Sequence, residues 1–199
     1  NGINGVSAAV VQTVLQAIGN ESLAGHSQPI DVLALEELQG TASNSLSPTL
    51  SVITNDLNAI YGSGTYAFDF SPDPTDGPTS TGNGPSGLIY NTHTVQDLGA
   101  QVIAPPAKAN DPRAPIRYTL QAVGYGSASQ FYVYVDHYKA SGGTSERSVR
   151  ANESVIVRTD ADSLPTNAHI IYTGDFNLAG QYYGDHLHSG SLEQAYQNL

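Results

Sequence analysis

Apolar residues recur at Val6, Val10, Val11, Val14, Leu15 and Ile18, a spacing that predicts a helix closed by Gly19-Asn20. A second helix is predicted over Leu46 to Tyr61, where Leu50, Ile53, Leu57 and Ile60 share a face ahead of Gly62. Shorter apolar runs predict strands. Ile30 to Leu35, after Pro29, reads as a buried strand, and Thr65 to Phe70 alternates. Ser86 to Asn91 and Val95 to Ile103 read as a pair around a short turn. Ile116 to Val123 and Gln130 to Val135 read as another pair, joined by Gly124-Tyr125-Gly126. A third helix is predicted over Ser145 to Ala161, then a buried strand over Ala168 to Thr173, and a last helix from its N-cap Ser191 to Leu199. Ser71 to Pro85, rich in Pro, Gly, Asp and Thr, reads as a loop.

Strands outnumber helices, and the helices fall between strand pairs. This pattern predicts an α/β chain in which two sheets pack face to face as a β-sandwich with helices outside. No repeat or compositional break divides it, so residues 1–199 read as one domain. A chain of 199 residues buries about 70% of its unfolded surface, enough for a real core.

Charge narrows the partners. Asp and Glu number 18 against 7 Lys and Arg, a formal net charge of −11 that repels polyanions at long range. Tight, sequence-independent binding of nucleic acid is thus disfavoured, while a local pocket meeting one phosphate at a time is not. The chain has no Cys, which removes disulfides and thiolate metal sites. No apolar run approaches the roughly 20 residues of a membrane span, and no signal peptide is visible. The Lys-poor, Tyr/Asn/Ser/Thr-rich composition leans towards a secreted or extracytoplasmic bacterial protein. The first residue is Asn, so the chain reads as processed or as a fragment.

Candidate chemistry gathers just past the strand-like runs. Asp175-Phe176-Asn177 follows Ile170-Ile171-Tyr172 and Gly174. On extended backbone Asp175 and Asn177 point one way while Phe176 packs beneath. Asp175 there can be a general base or a metal ligand, and Asn177 a donor to a phosphate oxygen; both side chains can equally cap local amides. Glu36-Glu37 ends the Asp31 to Leu35 run, and strict alternation lets only one of the two face a pocket. Asp136-His137-Tyr138-Lys139 ends the Phe131 to Val135 run. Arg147 and Arg150 lie three apart on one predicted helix face, suited either to phosphate oxygens or to a Glu146–Arg150 surface pair.

These three segments, in this order, resemble the endonuclease/exonuclease/phosphatase superfamily, which includes DNase I, exonuclease III and neutral sphingomyelinases. The resemblance implies a four-layer α/β/β/α fold and a divalent-metal-dependent phosphoester hydrolase, a phosphodiesterase or nuclease-like enzyme. It implies Glu37 as the ligand of Mg²⁺ or Mn²⁺, with Ca²⁺ as a third choice, and Glu36 as its structural neighbour. It implies His137, Asp175 and Asn177 around the scissile phosphate. Lys139-Ala140-Ser141-Gly142 is similar to the family's Lys-Ser-Gly loop, and Asp136 replaces the commoner Asn. Arg113 in Arg113-Ala114-Pro115 resembles the family's Arg-x-Pro segment on the substrate side. Tyr90, at the end of Gly87-Leu88-Ile89, is a further candidate for the cleft. The substrate implied is a nucleic acid or a small phosphodiester.

The chain departs from the family at both ends. The family's first strand carries an Asn, for which Asn1 and Asn4 are the remaining candidates. Its terminal Asp-His pair lies tens of residues beyond Asp-x-Asn, so Asp185, His186 and His188 read as loop residues or as an alternative metal cluster. The fold is therefore expected to be incomplete at both ends. An alternative reading is a catalytically incompetent secreted structural protein on the same scaffold, self-associating through unpaired sheet edges.

Overall fold

The computed structural model describes residues 8–38, 48–70, 86–103, 114–141 and 143–177. Two helices, α1 (Ala8–Gly19) and α2 (Pro48–Tyr61), alternate with strands β1 (Val32–Leu35) and β2 (Tyr66–Asp69). Then follow β3 (Gly87–Asn91), β4 (Val95–Val102), β5 (Ile116–Ala122), β6 (Gln130–Val135), α3 (Thr144–Asp162) and β7 (His169–Thr173). One sheet has the order β1-β3-β2, antiparallel throughout, and the other the order β4-β5-β6-β7. Within the second sheet β7 lies parallel to β6, reached through α3.

The alternation of each strand builds the layers. Leu33, Leu35, Tyr66, Phe68 and Ile89 pack with Leu15, Leu50, Ile53 and Leu57 of α1 and α2. Their neighbours in the strands, Val32, Ala34, Leu88 and Tyr90, point the other way, into a cluster with Val95, Ile116, Tyr118, Leu120, Val133 and Val135 of the second sheet. On the far face of that sheet Tyr132, Tyr134 and Tyr172 meet Val157 and Ala161 of α3. These three apolar interfaces are the seams of the helix–sheet–sheet–helix sandwich that the sequence implied. Polar ties add direction: Arg117 Nη1 and the Tyr134 hydroxyl both donate to Asp160 Oδ2 at 2.5 Å, fastening α3 to the second sheet. No helix among the described residues is long and apolar enough to cross a membrane.

Three expectations need correction. β3 and β4 do not pair: the Asn91–Thr94 turn, closed by Thr94 N–H on the Asn91 carbonyl at 3.1 Å, carries the chain from one sheet to the other. β7 is not a buried strand. It is last in its sheet's order, and its sandwich-side residues His169 and Ile171 are exposed. The apolar set of α1 also splits, with Leu15 buried while Val10, Val14 and Ile18 are about half exposed. The predicted 71–85 loop and the last helix lie outside the described residues.

One pair of acids sits on the inner faces. Asp69 is paired with Leu88 and Asp97 with Leu120, so both carboxyls share the side of those inward residues. Burial, then the neighbouring Asp97, pushes the Asp69 pKa from 3.8 up to about 6. A raised acid stabilises the fold fully below its unfolded value and loses that contribution as pH rises through the folded value. In EDTA the melting temperature of the wild type is therefore expected to fall relative to Asp69→Asn between about pH 4 and about pH 6, then to run parallel. Parallel curves across that window, measured by circular dichroism, contradict the assignment.

Candidate active site

Because β6 and β7 are parallel, their C-terminal ends emerge side by side, and the end of β1 meets them from the other sheet. The ladder continues past the strands: Asp136 N–H donates to Thr173 O at 2.9 Å and Tyr138 N–H to Asp175 O at 3.0 Å. Glu36 Oε1 then accepts from the Asp175 N–H at 2.9 Å, linking the two sheets at this tip. Gly174 sits at the crossing with φ +136°, and a Cβ there would overlap the Asp136 carbonyl oxygen and Glu36 Oε1. Only glycine accepts both the dihedral and the crowding.

His137 lies between the two glutamates. Its Nδ1 is 3.8 Å from Glu36 Oε2 and its Nε2 is 3.9 Å from Glu37 Oε1. The expectation that alternation would admit a single glutamate is thus corrected. β1 ends at Leu35 and Glu37 turns to φ +53°, so the period-two rule no longer holds across the pair. The His137 side chain is 7% exposed, Glu36 17% and Glu37 35%, so Glu37 is the more open carboxylate.

Asp175 and Asn177 stand beside this group. Asp175 is exposed, and its Oδ1 accepts from the Asn177 N–H at 2.9 Å, the local cap that the sequence allowed. Asn177, at φ +49°, donates from Nδ2 to the Tyr138 carbonyl at 2.9 Å. Phe176 packs beneath, its ring edge-on to Tyr138 at 5.3 Å. The second Asp175 oxygen and the second Nδ2 hydrogen of Asn177 are not engaged by these contacts.

Asp136 is wholly buried, and neither carboxyl oxygen has a hydrogen-bond partner among the described residues. Burial, with Glu36 and Glu153 close by, holds its pKa well above the ordinary value and favours the neutral acid. A neutral carboxylic acid has nearly the shape of an amide. Asp136 therefore adds less charge to the tip than its formula implies.

The arginines separate. Arg147 is exposed, whereas Arg150 is fully buried and its Nη1 donates to the Lys139 and Ser141 carbonyls at 2.7 Å each. They do not share an open face, because the buried face of α3 begins at Arg150 and continues through Glu153, Ser154, Val157 and Ala161. Glu153 Oε2 accepts from the Lys139 N–H at 3.2 Å, so the two α3 residues hold the 139–141 turn, where Ser141 has φ +85°. Sequence reasoning missed Glu153. Its spacing of three from Arg150 was the available signal. Tyr90 also lies apart from the tip: it pairs with Val32 at the start of β1 and Gly87 pairs with Leu35 at the end. Arg113, Asp185, His186 and His188, with Asn1 and Asn4, lie outside the described residues.

Among the described residues no three His, Asp or Glu side chains gather closely enough to hold an ion by themselves. The donors at the tip are hard oxygens in one or two carboxylates with an open side at Glu37. That set fits a cation of the Mg²⁺ kind, which keeps its waters and shares ligands with substrate phosphate.

No protein-family model matches the chain, and no curated protein matches it in sequence. Solved structures do match. An endonuclease/exonuclease/phosphatase family protein from Leptotrichia buccalis C-1013-b aligns at TM-score 0.57 and 14% identity, covering 96% of this chain and 63% of that one. A mannosyl-6-phosphatase from Bacteroides thetaiotaomicron VPI-5482 aligns at 0.56 and 15%, covering 98% and 61%. A humanized D. rerio TDP2 aligns at 0.55 and 18%, covering 86% and 55%. The fold is that of the endonuclease/exonuclease/phosphatase superfamily, the DNase I-like sandwich. The chain spans between 55% and 63% of the length of these three structures.

Proposed function

We propose that the chain carries the phosphoester-hydrolase site of a divalent-metal-dependent enzyme at the joined ends of β1, β6 and β7. The observation that supports this most is the meeting of Glu36, Glu37, His137, Asp175 and Asn177 at one tip of a DNase I-like sandwich. Asp175, with one oxygen held by the Asn177 amide, uses the other to orient and deprotonate the attacking water. The remaining Asn177 amide hydrogen and a His137 ring nitrogen face the phosphoryl oxygens, where negative charge grows in the transition state. Glu37 is the ligand for Mg²⁺ or Mn²⁺, which when bound neutralises phosphate charge and polarises the P–O bond. Glu36 acts as a positioning residue, since its carboxylate fixes the Asp175 backbone. Arg150 and Glu153 position Lys139 and Ser141, so Arg150 acts behind the site, and exposed Arg147 is the arginine available to substrate.

The substrate class is a phosphoester. One neighbour, D. rerio TDP2, is known complexed with single-strand DNA product, and another is a mannosyl-6-phosphatase. A net charge of −11 opposes long-range attraction of polymers, so small phosphoesters and nucleic-acid ends suit this chain better than duplex interiors. The test of the metal ligand is a titration of Mg²⁺ and of Mn²⁺ against hydrolysis of bis-p-nitrophenyl phosphate. Glu37→Gln is expected to raise the half-saturating metal concentration by about tenfold or more. An unchanged titration removes Glu37 from the metal site.

A further inference from the structure

The chain just past β6 is pinned through its backbone, which leaves the Lys139 side chain to the tip. The Tyr138 carbonyl accepts from Asn177 Nδ2 at 2.9 Å, and the Lys139 N–H donates to Glu153 Oε2 at 3.2 Å. The Lys139 carbonyl accepts from Arg150 Nη1 at 2.7 Å. Both peptide units that flank the Lys139 Cα are thus fixed, one of them by Asn177 of the site itself. Side-chain direction follows from the ladder, which runs on to the Tyr138 N–H and the Asp175 carbonyl. Val133 and Val135 lie between the sheets, while Tyr134 and Tyr138 face α3. His137 keeps to the first side, where it meets Glu36 and Glu37, and alternation puts Lys139 on that side too. Two extended residues part their Cα atoms by about 7 Å, within reach of the lysine stem.

Charge then singles out this side chain. Among the described residues Arg117 is paired with Asp160 and Arg158 with Asp162, and Arg150 is buried on carbonyls. Lys139 is partly buried, and no described carboxylate forms an ion pair with its ammonium. The tip around it is acidic, with Glu36, Glu37 and Asp175. A diester phosphate brings one negative charge to such a site. A monoester brings close to two at neutral pH, since its second pKa is about 6, so a fixed cation beside the phosphate separates the two classes.

We infer that Lys139 is the specificity residue of this site: its ammonium takes the extra anionic oxygen of a phosphomonoester, so the chain prefers terminal phosphates to diesters. The inference rests on the hydrolase reading of the β1/β6/β7 tip and names the substrate class within it. The reaction is plain hydrolysis. Water adds its oxygen to phosphorus, the ester P–O bond breaks, and the alcohol leaves with the proton that water gives up. Lys139 forms no bond in this step; it holds one phosphoryl oxygen as a point charge.

Lys139→Met tests it, because the variant keeps a long apolar stem and removes the charge. Glu153 and Arg150 hold backbone atoms of Lys139, so the melting temperature is expected to stay unchanged. The kcat/KM for p-nitrophenyl phosphate is expected to fall by about tenfold or more, and that for bis-p-nitrophenyl phosphate by less than about threefold. Lys139→Arg, which restores the charge, is expected to recover most of the loss. An equal fall for both esters, or none for the monoester, overturns the inference, and so does a wild type that turns over the diester alone. Turnover of neither ester by the wild type defeats the hydrolase reading instead, and calorimetric titration of inorganic phosphate in Mg²⁺ then decides for Lys139. Saturable binding that Lys139→Met weakens by about tenfold and Lys139→Arg retains supports the inference. Absent binding, or binding equal in wild type and Lys139→Met, overturns it.

Discussion

Asp175→Asn is expected to lower kcat for phosphodiester hydrolysis by roughly 10²–10⁴-fold, the range that a general base supplies, while the fold stays intact. The substitution is chosen for its geometry. Asparagine keeps a carbonyl oxygen where Asp175 Oδ1 accepts the Asn177 N–H, so the turn over Phe176 keeps its cap. The Asp175 N–H bond to Glu36 and the Tyr138 N–H bond to the Asp175 carbonyl come from backbone and are untouched. What is lost is the charge and the second oxygen. A fall in kcat with little change in KM and melting temperature marks a group acting in the transition state. Equal kcat in the variant removes Asp175 from the chemistry.

The largest effect on structure is expected from Gly174→Ala. Glycine there holds φ +136°, outside the range an L side chain adopts at low cost, and the added methyl would meet backbone as well as a side chain. The Asp136 N–H is bonded to the Thr173 carbonyl in the β6–β7 ladder, and Glu36 Oε1 holds the Asp175 amide, so neither residue can retreat without breaking the tip. We expect about 3 kcal/mol or more of destabilisation in urea unfolding. The folded remainder should have little activity, because β1 would part from β7. A variant within about 0.5 kcal/mol of wild type, the range of ordinary surface substitutions, would contradict the close packing described.

Much of this was legible in the chain. Apolar runs marked β1, β3 and β6 as strands, and the structure then sorts their two faces. Val32 and Ala34 went to the sandwich, and Leu33 and Leu35 to the helices. The chemistry-bearing segments were legible because each is polar directly after a strand. What alternation could not give was the behaviour beyond the strands. Glu37 leaves the extended region, and so two adjacent glutamates reach one imidazole. The Asn91–Thr94 turn has the length of a hairpin, but nothing local marks it as a crossing between sheets. The face of α3 towards the site is polar, with Arg150, Glu153 and Ser154 buried, so neither the phosphate-facing nor the surface-pair reading of Arg150 foresaw its burial. The Asp69–Asp97 pair was partly readable. Asp69 shares its strand face with Ala67, opposite Tyr66 and Phe68, but its partner comes from the other sheet at no fixed separation in sequence.

The most direct measurement of the central claim is hydrolysis by the unmodified chain. Bis-p-nitrophenyl phosphate, p-nitrophenyl phosphate and a short single-stranded DNA would be incubated in Mg²⁺, in Mn²⁺ and in EDTA. The account predicts turnover of at least one of them with metal and none in EDTA. Turnover that persists undiminished in EDTA, or no turnover of any of the three with either metal, would contradict it and favour the non-catalytic use of this scaffold.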